Sequence, residues 1–303
     1  MNIYVYSPVE AGLVGDWPSG QLRLDGTVVT NPEQADVFVV PGALHMFRNP
    51  WELDRFAFMR GKESRHVFFH CSDDETKYGK ECLFIRCNTR PWNLESDPNT
   101  ISWPWPVEDY SECVDLPASG FKYDVSFQGW NWSDVRKASI ASCLKSNLSF
   151  DVAAYPNFSG YLTSPGHPTY DLKENDRRRR EFRRSMKESR VALCPESIPG
   201  VFPYRFFEAM SAARIPILIG SDFVFPFSDE IPYKDFCLFV SRQDADKTAD
   251  YITALLAEMP DAELIQRGKQ ARFYWDKYLN GAKWAALMTY AVEKALTREV
   301  SRH

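Results

Sequence analysis

The chain has 303 residues, 36 basic against 41 acidic side chains and a net charge of −5, with 44% hydrophobic residues. That balance describes a globular protein and nothing in it calls for nucleic acid, so no nucleic-acid partner is expected. The length suits two domains better than one core, and no stretch reaches the about eighteen consecutive apolar residues of a membrane span.

In chain order, residues 2–7 (NIYVYS) read as a first strand, with no signal-peptide layout before it. A Gly/Pro/Asp-rich loop follows and carries Glu10 and Asp16. Residues 26–42 read as a turn, a short helix and a buried strand, VFVVP, and residues 51–63 as a helix with Phe56 and Met59 inward. HVFFHCSDD (66–74) is a strand with a polar end, where Asp73 or Asp74 either caps the next helix or does chemistry. CLFIRC (82–87) is a further strand, and residues 88–120, with five prolines, read as irregular. Trp103 and Trp105 in that stretch either stack on a sugar or pin a linker.

KYDVSFQG (122–129) opens the second half as a strand ending at Gly129. A helix with Ser133 as N-cap and Arg136 in its first turn comes next, and FDVAAYP (150–156) is another strand. DRRRREFRR, within 171–190, reads as a helix with Phe182 and Met186 on one face and solvated arginines elsewhere; the alternative is a peripheral membrane or partner contact. VALCP, a loop with Gly200, YRFFEAMSAA and IPILIG then form strand, loop, helix and strand, which is a βαβ crossover. FCLFVS (236–241) is a last strand, followed by helices over 244–258, 261–279 and 282–300. Seven cysteines without a CxxC pair read as free thiols, and neither Cys82 and Cys87 nor the five histidines have zinc-ligand spacing.

The chemistry concentrates at the crossover. In open α/β sheets ligands sit outside the carboxyl ends of the strands, here the loop 195–203. A helix N-terminus suits an anion such as a diphosphate, and an arginine beside it adds charge and a planar donor fork. Arg205 and Glu208 are three apart and share a face. Together they suit a nucleotide sugar, with the carboxylate accepting from a ribose diol; equally, they suit a plain intrahelical ion pair. Gly129 permits close backbone approach to a ligand, and Arg136 either meets the diphosphate or is solvated.

The segment from Ser189 to Asp229 resembles the signature of the exostosin-type glycosyltransferases, family GT47. It carries Ser189, Cys194-Pro195, Gly200, Arg205-Phe206-Phe207-Glu208-Ala209, Ile215-Pro216-Ile217 and Pro226-Phe227-Ser228-Asp229 in the family's order. Pro32-Glu33, Ala35-Asp36, Phe38 and Val40-Pro41 match the family's N-terminal pattern, and residues 261–279 resemble its final helix, so the likeness spans roughly 2–280. Tyr204 departs from the small residue that precedes the motif arginine, and Asp229 from the motif glutamate.

The resemblance implies a GT-B fold: α/β, with two Rossmann-like domains facing across a cleft. The expected domains are an acceptor-side one over 1–115 and a nucleotide-sugar-binding one over 116–280. Residues 281–303 form a C-terminal helix packing back on the first. It implies an inverting transfer from a UDP-sugar to a hydroxyl of a glycan, glycoprotein or lipid-linked acceptor. Gly129, Arg136, Gly200, Tyr204, Arg205, Glu208 and Asp229 would bind the donor, and Asp73, Asp74 or Glu10 would be the base. No DxD triplet is present in the second half, so no obligatory metal or other cofactor is expected; Asp73-Asp74-Glu75 is the nearest approach. With neither leader nor anchor, the expected location is cytoplasmic and soluble, with peripheral membrane contact open. Two alternatives stand beside this: a non-catalytic GT-B-like subunit of a glycan-synthesising complex, and a transferase using a GDP- or CMP-sugar.

Overall fold

The computed structural model describes residues 1–7, 24–43, 50–70, 76–115, 120–155 and 172–300. The chain divides into two compact units. One comprises Met1–Trp105, Phe223–Phe227 and Gly281–His303; the other comprises Pro106–Asp222 and Ser228–Asn280.

The first unit holds six parallel strands: β1 (Asn2–Val5), β2 (Thr27–Val28), β3 (Val37–Ala43), β4 (His66–His70), β5 (Leu83–Arg86) and β6 (Thr100–Ser102), in the order β2-β1-β3-β4-β5-β6. β4 and β5 are buried at every residue, as expected of parallel strands covered on both faces. Its core is aromatic, with Tyr6, Phe38, Phe56, Phe68 and Phe84 packed together. Within it the Tyr6 hydroxyl donates to His66 Nε2 (2.9 Å) while His66 Nδ1–H donates to Lys62 O (2.8 Å). Asp97, fully buried, accepts from Arg86 (2.6 Å) and from the Gly79 N–H (2.7 Å).

Two sequence expectations change here, and one open alternative is decided. The helix over 51–63 is a 3₁₀ segment, Pro50–Arg55, followed by turns, and its buried residues Leu53, Phe56 and Met59 recur every three positions, the 3₁₀ period. The irregular stretch 88–120 contains a one-turn helix, α1 (Pro91–Ser96), and strand β6. The helix starts with Pro91 at its first position, and the Asn93 side chain accepts from the Arg90 N–H (3.0 Å). Trp103 and Trp105 are buried and unavailable to a sugar: Trp103 packs on Phe227 and Trp284, and Trp105 donates to Asn88 (2.9 Å).

The second unit holds five parallel strands: β7 (Tyr123–Trp130), β8 (Phe150–Tyr155), β9 (Ser189–Pro195), β10 (Ile215–Gly220) and β11 (Leu238–Ser241), in the order β11-β10-β9-β7-β8. Its helices are α2 (Asp134–Lys145), α3 (Leu172–Glu188), α4 (Tyr204–Ser211), α5 (Thr248–Glu258) and α6 (Asp261–Tyr274). α2 and α5 close one face over Val191, Leu193, Ile217 and Ile219, while α4 packs on β9 and β10. β9–α4–β10 is the expected crossover, with β9 at the centre of the sheet.

α4 ends abruptly. Ala213 has φ of +55°, and the Arg214 N–H returns to Ala209 O (2.8 Å), a left-handed cap usually given to glycine. α6 lies against that cap through Gly268, where a Cβ would fall 2.2 Å from Ala213 O. The last turn of α6 runs into a π-helical turn, Trp275–Leu279, and α7 (Trp284–Val300) belongs to the first unit.

Two parallel-sheet α/β units in one chain are the make-up of the GT-B fold. The six cysteines among the described residues are free thiols. No helix among those residues is long and apolar enough to cross a membrane. The arginine-rich α3 buries Phe182 and Met186 as expected. Five of its six arginines are paired: Arg177 and Arg178 with Glu174, Arg179 with Glu108, Arg183 with Glu108 and Glu112, and Arg184 with Asp151.

Candidate functional site

The first turn of α4, the end of β7 and the start of α2 enclose a cavity of about 330 Å³ in the second unit, lined by Gly129, Trp130, Arg136, Pro203, Tyr204, Arg205 and Glu208. Five of the seven donor-site residues expected from sequence therefore meet in one place.

Arg205 dominates it. The residue is 8% exposed and its Nε is buried without a hydrogen-bond partner. Its guanidinium lies over the Phe127 ring, 4.5 Å from the centroid, and 5.8 Å from that of Phe182. Among the described residues it has neither a hydrogen bond nor an ion pair, so the intrahelical Arg–Glu pair does not form. An unpaired buried cation costs several kcal/mol, of which stacking on a ring returns about 1–2. Such a group can receive an anion that arrives from outside.

Gly129 makes room for it. At φ of +156° a Cβ there would lie 2.9 Å from Arg205 Nη2. Gly129 thus serves the arginine, where the sequence reading had it serve the ligand directly. Arg136 lines the same cavity but donates to Trp130 O (2.8 Å) and Pro195 O (3.3 Å), tying the ends of β7 and β9 together.

Glu208, one turn after Arg205, is half-buried and accepts from the Tyr110 hydroxyl (3.3 Å). Burial raises its carboxyl to about 6, against the opposing pull of Arg205 and of the Tyr110 hydrogen bond. It is ionised at neutral pH and keeps acceptor capacity for a further donor.

Two expected residues do not line the cavity. Gly200, at φ of +73°, shapes the β9–α4 loop, its N–H donating to Ser221 O (3.0 Å). Asp229 is exposed. Asp73, Asp74 and Glu10 lie outside the described residues.

Sequence reasoning missed Glu196, which holds the same loop from beneath. It is fully buried, accepts from the Ser221 N–H (3.2 Å) and pairs with Arg242 (2.6 Å). It also missed Tyr110, whose hydroxyl steadies Glu208. Among the described residues no group of three or more His, Cys, Asp or Glu side chains could hold a metal.

Residues 122–256, from β7 into α5, match the model of the exostosin GT47 domain. Over those residues the chain resembles an exostosin GT47 domain. The cavity residues Gly129, Arg136, Arg205 and Glu208 all lie in that stretch.

Beyond that stretch the likeness is thinner. A probable glycosyltransferase of Arabidopsis thaliana is 24% identical over 291 residues, 84% of this chain and 54% of that protein. A probable glucuronosyltransferase of Oryza sativa subsp. japonica is 28% identical over 177 residues, 54% of this chain and 37% of its own length. The chain thus spans about half the length of the first relative and less of the second. Among solved structures, a glycosyltransferase from Rickettsia africae ESF-5 aligns with a TM-score of 0.49 at 10% identity, over 90% of this chain and 84% of that one. That likeness adds nothing to what the two sheets already show.

Proposed function

We propose that the chain is a glycosyltransferase moving a sugar from a nucleoside diphosphate donor, UDP-linked, to a hydroxyl of a glycan acceptor with inversion at the anomeric carbon. The observation that carries this reading is Arg205, a guanidinium with no ion pair among the described residues, set in the first turn of α4 inside the stretch that matches the exostosin GT47 model.

In the reaction, the acceptor oxygen bonds to C1 as the bond from C1 to the diphosphate oxygen breaks. The diphosphate leaves with the electron pair. Negative charge grows on that leaving group, and Arg205, held over Phe127 with its guanidinium on the cavity wall, meets it with little reorganisation. The α4 N-terminus adds its partial positive charge, so no divalent ion is required by this scheme. Glu208, ionised, accepts from the ribose hydroxyls and fixes the nucleotide along α4. The proton of the attacking hydroxyl passes to a carboxylate base, for which the sequence offers Glu10, Asp73 or Asp74. A positioned base is worth about 10²–10⁴ in rate.

Calorimetric titration of UDP tests the site: wild type binds, and Arg205→Met loses about tenfold or more in affinity, as removal of a charge-assisted contact should. Equal binding by both proteins would discard the site. The stereochemistry is read by NMR of the first-formed product; retention of the donor's anomeric configuration would refute inversion. Turnover surviving excess EDTA is expected, and loss restored only by Mn²⁺ would refute the metal-free scheme. UDP binding without transfer to any acceptor would favour a non-catalytic subunit, and selective GDP or CMP binding a different donor.

A further inference from the structure

A second cavity, of about 180 Å³, lies on the other side of Tyr204 and Glu208, which line both. Its remaining walls are α3, through Asn175, Arg178, Arg179 and Phe182, and the segment 106–110, through Tyr110. Nothing in the sequence motif points to it.

The two cavities differ in chemistry. The first contains a cation with no ion pair among the described residues. In the second the arginines are already neutralised: Arg178 by Glu174 (2.6 Å) and Arg179 by Glu108 (3.4 Å). Its walls are instead aromatic. Tyr110 and Phe182 are nearly buried and pack edge to face with centroids 5.5 Å apart, while Tyr204 is half exposed. One polar group stands out. Asn175 is 9% exposed, and its side chain has no hydrogen bond to any described residue. An amide carries two donors and an acceptor, and here none of them is taken up by a described residue. With its arginines paired and the Glu208 carboxylate at its edge, a ring-walled cavity holding one unpaired amide suits a flat, uncharged heterocycle with a hydrogen-bonding edge and does not suit a phosphate.

A nucleotide is built in a fixed order, with phosphate and base joined to opposite ends of the ribose. Along α4 the protein presents the same order: an unpaired cation, then the carboxylate Glu208 shared by both cavities, then the aromatic cavity with its amide. We propose that this second cavity takes the nucleobase of the donor, with the Asn175 amide reading the base edge. The inference rests on the donor-site reading above and adds the residue that selects the base. For uracil the match is complete: the amide N–H donates to a ring carbonyl and the amide oxygen accepts from the ring N–H.

The test compares UDP with inorganic pyrophosphate, which lacks both ribose and base, and CDP with UDP. Wild type should bind UDP more tightly than pyrophosphate. Asn175→Ala should weaken UDP about tenfold or more, as expected when a buried edge loses its partner, and leave pyrophosphate unchanged. Asn175→Asp keeps the shape and the acceptor but loses the donor. It should shift the UDP-to-CDP affinity ratio towards CDP, whose base presents an amino group, and a ratio within one protein does not depend on the fraction folded.

Arg205→Met separates the two ideas. If it weakens both ligands while both Asn175 variants bind UDP and CDP as wild type does, the donor site stands and the base cavity is overturned. If Arg205→Met weakens neither, the donor site fails and the base cavity with it. Wild type binding UDP no better than pyrophosphate would also overturn the base cavity.

Discussion

Glutamine at position 208 keeps the shape of the side chain and removes its charge. Burial lifts the Glu208 carboxyl from its ordinary value of 4.5 to about 6. At about 1.4 kcal/mol for each tenfold change in proton affinity, the ionised group costs the folded protein about 2 kcal/mol. The folded state holds this proton more tightly than the unfolded one. The cost is therefore fully developed above about pH 6, shrinks as pH falls, and is gone below about 4.5. Glu208→Gln should be more stable than wild type by about 2 kcal/mol near pH 8, and the two should converge towards pH 4. Denaturant unfolding of both proteins in matched buffers across that range measures the gap. The same substitution should weaken UDP binding, because the amide accepts less well from the ribose diol. Stability gained with affinity lost is the signature of a residue kept for a ligand. A variant less stable than wild type at pH 8, or a gap independent of pH, would refute the reasoning and make Glu208 a structural partner of Tyr110 and Arg205.

Gly129→Ala places a methyl group 2.9 Å from Arg205 Nη2 at a backbone φ of +156° that disfavours a side chain. The guanidinium is the end of a flexible chain and can shift, so UDP affinity of the folded protein should fall about tenfold, with some loss of stability from the backbone; unchanged affinity in a titration would contradict this role for the glycine. At Gly268 the obstacle is backbone, Ala213 O at 2.2 Å, so Gly268→Ala should cost about 1–3 kcal/mol of stability by thermal or urea unfolding. His66 is buried and its pKa is lowered to about 4. It contributes stability that is intact above about 6.5 and lost as pH falls towards 4, about 3 kcal/mol in all; His66→Phe should flatten that acid limb in pH-dependent unfolding.

The crossover was legible because its signals are local. IPILIG is apolar at every position, which marks a strand covered on both faces, and YRFFEAMS carries a helical stripe that stops before Pro216. The spacing of Arg205 and Glu208 placed both near one cavity. What it left open was whether they pair with each other, since that depends on Gly129, Phe127 and Tyr110, which arrive from elsewhere in the unit.

The second cavity escaped for a related reason. α3 reads as a charged, solvated helix, and its arginine run draws the eye from Asn175. Yet Asn175, Phe182 and Met186 stand at spacings of seven and four, on one buried stripe. A polar residue on the apolar stripe of an otherwise charged helix was the signal available. The short elements α1 and β6 were missed because a six-residue helix and a three-residue strand offer too few positions for a period to appear.

A crystal structure of the protein with UDP tests the central claim most directly. The account predicts the diphosphate within hydrogen-bonding distance of the Arg205 guanidinium and the ribose hydroxyls on Glu208. UDP bound away from the first turn of α4, or Arg205 turned to pair with Glu208 in the complex, would contradict it.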